Sequence, residues 1–187
     1  MPETVLVPAP VPVQGEATVP LASFIRPFQR HYFSGRPERP NYRARSYDFA
    51  GVPALMPLVR AFLDTCAADR TADYRYLFTL LGSELANNAI RHSLSGRPGG
   101  TYTLRVRRNK EGLRLTCCDR GGLRTRDARL SPASNGLDPG VESGRGLAMV
   151  DACATDWGDN GNAEYRTVWL YLAYDLTRSG WSTVALD

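Results

Sequence analysis

Glu84-Leu85-Ala86-Asn87-Asn88-Ala89-Ile90-Arg91-His92 lies in a long helix-periodic stretch, and the way it sets polar against apolar side chains decides how the rest of the chain is read. The pattern predicts a helix from about Thr71 to Ser93, with Thr71 or Asp73 as its cap and the Gly-rich run Gly96 to Gly100 as its stop. At ~100° per residue Asn88 falls ~40° from Glu84, while the apolar stripe through Phe78, Leu81, Leu85 and Ala89 centres ~100° away. A carboxylate and an amide therefore share one edge of a half-buried helix. One of the pair can supply an oxygen to hydrated Mg²⁺, which takes few protein ligands, while the other orients a nucleophile. The same spacing suits the plain polar flank of an amphipathic helix.

Working outward, Tyr42 to Phe49 alternates like a strand, and Val52 to Ala68 reads as an amphipathic helix with Leu55, Leu58, Val59, Phe62 and Leu63 on its apolar face and Pro53 in its first turn. After the central helix come strands Tyr102 to Arg108 and Leu113 to Cys118, joined by a hairpin loop at Asn109-Lys110-Glu111-Gly112. Residues 120 to 143 hold four Gly and two Pro with little periodicity, too long for an ordinary connection. A helix from Gly144 to Ala154 and strands over Thr155 to Gly158 and Ala163 to Tyr174 follow.

Two further segments carry chemistry. Asp119-Arg120-Gly121-Gly122 ends an apolar strand, where a carboxylate can accept from an exocyclic base amine and glycines let the backbone approach a ligand; alone it reads equally as a turn. Gly144-Arg145-Gly146-Leu147-Ala148-Met149-Val150 runs a Gly-rich turn into a helix whose first N–H groups suit a phosphate. No Gly-Lys-Ser/Thr follows, so it is not a P-loop.

Taken in order with Thr167-Val168-Trp169, these segments resemble the ATP-binding domain shared by histidine kinases, gyrase-type ATPases and chaperone ATPases, and most closely the anti-sigma-factor serine kinases of Gram-positive bacteria. The resemblance covers about residues 43 to 174. That family's Glu-Leu-x-x-Asn-Ala-x-x-His is matched at Glu84, Leu85, Asn88, Ala89 and His92. It implies ATP and Mg²⁺ as cofactors, with Asn88 as the metal ligand and Glu84 as the base. It also implies that Asp119 receives the adenine amine, that Gly121 lies under the base, and that Gly144, Arg145, Gly146 and Leu147 lie along the phosphates. Thr167 supports the adenine end, and residues 120 to 143 form a flexible lid. His92 is expected as a packed or capping side chain. The family's Asp-x-Gly-x-Gly reads here as Asp119-Arg120-Gly121-Gly122-Leu123, with the second glycine displaced. The implied fold is α+β, a two-layer α/β sandwich with a mixed, mostly antiparallel sheet and helices on one face. The implied partners are a sigma factor and an anti-sigma-factor antagonist protein, with a homodimer left open.

Composition bounds these expectations. The 187 residues, 43% hydrophobic and 22% charged, suit one domain with its own core. Eight of the 13 prolines fall in the first 40 residues, so 1–40 is expected as a partly disordered arm and 41–187 as the ATP-binding domain. Within that arm Leu21 to Phe33 is aromatic enough to add a helical turn over the core. Six Arg against three Glu put most of the net charge of +4 in residues 1 to 47, leaving the body nearly neutral and arguing against direct nucleic-acid binding. No membrane span or signal peptide is read from the sequence, and a cytoplasmic location is expected. Cys66, Cys117, Cys118 and Cys153 lack metal-ligand spacing and are read as reduced.

Overall fold

The computed structural model describes residues 20–36, 42–122 and 145–181. Five strands, β1 (Ala44–Ala50), β2 (Thr101–Arg108), β3 (Gly112–Cys118), β4 (Asp156–Asp159) and β5 (Thr167–Ala173), form one sheet in the order β1-β2-β3-β5-β4. Every pairing among them is antiparallel. Strict alternation sorts the side chains: Tyr47, Leu104, Cys117 and Val168 lie opposite one another across four strands, and all are buried. Phe49, Tyr102, Leu115, Leu170 and Leu172 extend this apolar face, each large side chain contributing roughly 1.5–3 kcal/mol by leaving water.

Helices α1 (Met56–Cys66), α2 (Ala72–His92) and α3 (Arg145–Cys153) complete the two-layer α+β sandwich. The first begins later than its apolar pattern suggests. Val52 is extended and exposed, and Pro53–Leu55 forms a 3-10 turn before α1 opens with Pro57 in its first turn. Proline at both places removes an N–H that only a first turn can spare. In α2 Thr71 is the N-cap, its hydroxyl accepting from Tyr74 N at 3.4 Å. Tyr74 donates to Leu172 O of β5 at 2.8 Å, and Arg75 grips Asp64 of α1 through Nε–Oδ1 at 2.9 Å and Nη2–Oδ2 at 2.6 Å. Those bonds fix the long helix to the sheet on one side and to α1 on the other.

The glycines are not what ends α2. Ser93 turns extended, donates to Ala89 O at 2.7 Å and accepts from Ser95 N at 3.0 Å, so its hydroxyl replaces the next helical turn four residues before Arg97. β5 likewise starts at Thr167 rather than Ala163, because Asn160 and Asn162 accept from the N–H groups of Asn162, Glu164, Tyr165 and Thr167 and hold 160–165 in turns.

Leu21–Phe24 and Pro27–Phe33 are 3-10 helices. Tyr47 Oη donates to Phe24 O at 2.7 Å, and Phe33 lies against Tyr47, Phe49 and Phe62. The sequence reading of a helical turn over the core is realised here by Tyr32 and Phe33, while Phe24 and Phe28 stay exposed.

Candidate nucleotide site

The stripe Leu77, Phe78, Leu81, Leu85 and Ala89 of α2 faces the core, leaving Glu84 and Asn88 half-buried one turn apart on its flank. Helix α3 packs along that flank. Its second residue is Gly146, and a Cβ there would collide with Glu84 Oε2. The carboxylate thus occupies the space a side chain would need, beside the first turn of α3. Burial raises the Glu84 carboxyl above its ordinary range, while Arg91 and Arg60 pull it back. A carboxylate tuned upward in this way is a better proton acceptor than an exposed one.

The second wall of the site is the end of β3. Asp119 N donates to Arg166 O at 2.9 Å, and Cys118 lies opposite Thr167, whose Oγ1 donates to Cys118 Sγ at 3.7 Å, so the pairing of β5 with β3 brings the Thr167 backbone near Asp119 while its side chain lies on the Cys118 face of the sheet. Asp119 Oδ1 accepts from Gly121 N at 2.6 Å, and a carboxylate keeps further lone pairs that can accept from a ligand amine. Burial raises this carboxyl too, against the lowering effects of the Gly121 N–H, Arg166 and Ser93. Gly121 has φ +62°, and a Cβ there would strike the carbonyl of Ala163. Its carbonyl accepts from Leu94 N at 2.6 Å, tying the loop to the turn after α2.

Arg145 opens α3, and Leu147 is buried, so from this residue only the backbone is on offer to a phosphate. Gly144 and the expected lid beyond Gly122 lie outside the described residues. His92 is exposed in the last turn of α2 rather than packed; a basic residue there suits the negative end of the helix dipole.

Ser93 and Ser95 escape the motif reading. Ser95 is fully buried and accepts from Arg120 N at 3.0 Å, so the two serines bind the end of α2 to the Asp119 loop. Their signal in the sequence is the Ser-x-Ser directly after the helix. A shallow groove lined by Arg60, Ala61, Asp64, Ala72, Arg75, Tyr76 and Thr79 lies between α1 and the first half of α2 and includes none of the site residues.

The two-layer sandwich sets the Glu84/Asn88 helix against the Gly-led helix and ties its end to the Asp119-Gly121 strand end, an arrangement suited to a nucleotide. Residues 49–171 match the histidine kinase-like ATPase domain family, and the chain belongs to that family, whose domain binds ATP. No curated protein matches the chain. No helix among the described residues is long and apolar enough to cross a membrane.

Proposed function

We propose that this chain is an ATP- and Mg²⁺-dependent protein serine/threonine kinase of the anti-sigma-factor type. It would act in the cytoplasm on a hydroxyl of an antagonist protein and bind a sigma factor reversibly. The observation that carries the reading is Glu84, a raised, half-buried carboxylate held against Gly146 of α3, with Asn88 one turn further on. When bound, ATP supplies the phosphoryl group and Mg²⁺ neutralises its charge. Asn88 would offer the cation an oxygen, Asp119 would accept from the base amine, and Thr167 would support the adenine end. The first-turn N–H groups of α3, including those of Gly146 and Leu147, face the phosphates. Glu84 takes the proton from the incoming hydroxyl. Incubation with γ-labelled ATP and candidate antagonist proteins tests this: label should move to a serine or threonine of one of them, and should fail to move with Glu84→Gln.

One observation favours a second reading, an ATP-binding interaction module with little or no transfer. Around the displaced glycine, Arg120 N is held by Ser95, Gly122 N by Ala163 O, and Gly121 O by Leu94 N, so the loop spends its backbone groups internally. Nucleotide binding without transfer to any cognate partner would select this reading.

A further inference from the structure

The face of the sheet opposite the helices carries a cationic cluster that net charge conceals. Alternation puts Arg105, Arg107, Arg114, Thr116, Trp169 and Tyr171 on that side, and all three arginines are exposed. Arg107 and Arg114 are direct cross-strand partners, an arrangement that like charges disfavour unless an anion relieves it. Ion pairs among the described residues engage Arg26, Arg70, Arg75, Arg108 and Arg166, leaving these three with no carboxylate among them. The two acids on this side stand at its margins. Asp48 on edge strand β1 is taken by Thr103 and Arg26, and Asp156 on edge strand β4 pairs opposite Tyr171.

We propose that this open sheet face docks an acidic segment of a partner protein, whose carboxylates pair with Arg105, Arg107 and Arg114. Guanidinium groups suit carboxylates because their planar N–H fork can engage both oxygens. A nucleic acid fits less well. The Arg114 guanidinium already lies 3.7 Å from the Trp169 ring centroid, so that ring face is not a free platform for a base to stack on. A second copy fits poorly as well, since two such faces brought together would oppose arginine to arginine. The inference is independent of whether the chain transfers phosphate.

The test uses the full chain and a fluorescein-labelled oligoglutamate peptide followed by anisotropy. Binding that weakens with salt is expected, with about a tenfold or greater loss in Arg107→Glu and Arg114→Glu. Arg36→Gln, an exposed arginine in the N-terminal segment, should bind as the parent does. All three variants should keep the parent's affinity for Mg²⁺-ATP. If Arg114→Glu fails to fold through loss of its Trp169 contact, Arg105→Glu and Arg107→Glu carry the test. The proposal is overturned by no peptide binding, by equal loss in Arg36→Gln, or by undiminished binding in the sheet-face variants. It is also overturned by preferred binding of oligothymidylate, or by a dimer that Arg107→Glu converts to monomer.

Discussion

Gly146, in the first turn of α3, stands so close to the Glu84 carboxylate of α2 that no Cβ fits between them. Gly146→Ala is therefore expected to push the Glu84 carboxylate off its position, at a cost of about 1 kcal/mol or less because the end of a flexible side chain can move aside. Combining it with Glu84→Ala should remove the conflict, so the double variant should be more stable than the sum of the single losses allows. Chemical denaturation of the four proteins measures this coupling. Strict additivity would show that the two residues do not press on each other.

Asn88 and Glu84 should separate by role. Asn88→Ala removes an oxygen ligand and should weaken Mg²⁺-ATP binding by about 1–3 kcal/mol. Glu84→Gln keeps its size and should leave nucleotide affinity nearly intact while transfer falls by about 10²-fold or more. Calorimetric titration paired with a transfer assay distinguishes them. Parent-like binding by Asn88→Ala would remove the metal assignment.

Stability should depend on pH through Glu84. Burial raises its carboxyl on folding, so the native state holds the proton at pH values where the unfolded chain has released it. Native stability therefore declines as pH climbs from the ordinary carboxylate range through the raised native value, and the cost of burying the charge persists above it. Glu84→Gln should melt higher than the parent near neutral pH, with the gap closing toward pH ~4. Melting curves across that range decide it; a gap that widens on acidification would mean the sign is wrong.

Gly121→Ala should destabilise by about 1–3 kcal/mol or more, because its positive φ and its contact with the Ala163 carbonyl both resist a side chain. Adenine nucleotide affinity should fall with it, as the same loop orients Asp119 through the Gly121 N–H. Urea titration and nucleotide binding report the two effects separately. A fully stable Gly121→Ala would show that the loop relaxes freely.

Among the four free cysteines Cys118 should be alkylated first. It is only partly buried, whereas burial pushes the Cys66 thiol up to about 12 and holds Cys117 well above its ordinary value. Mass spectrometry after brief iodoacetamide treatment should find the label there. Early labelling of Cys66 or Cys117 would contradict the burial pattern.

Much of the fold is legible in the sequence because its signals are local. The period of α2, the Thr71 cap and the strand alternation around Leu104, Leu115 and Leu170 each appear within a few residues. Signals that depend on competition between neighbours are harder to read. Ser93 stops α2 before the glycines can, and two asparagines delay β5, though neither residue type ends an element by rule. Of the site, Glu84 and Asn88 can be placed on one helix edge from periodicity, but the pressing of Gly146 on Glu84 joins residues from separate helices and needs the fold. The arginine face is hidden for a different reason. Summing charge over residues 48 to 187 averages Arg105, Arg107 and Arg114 against acids elsewhere in the chain, whereas docking responds to the local arrangement.

The strand order also sets a timetable. Asp119 leaves the ribosome well before Thr167, yet the two become neighbours only when β5 adds to the free edge of β3. A nascent chain that ends before residue 167 has its Glu84 helix and its Asp119 loop but lacks the strand that completes the proposed adenine end. On the site proposed above, nucleotide would be captured only once synthesis has passed β5, and ATP in the surrounding solution would then act as a late clamp, favouring closure of the sheet at the step that otherwise leaves β3 exposed.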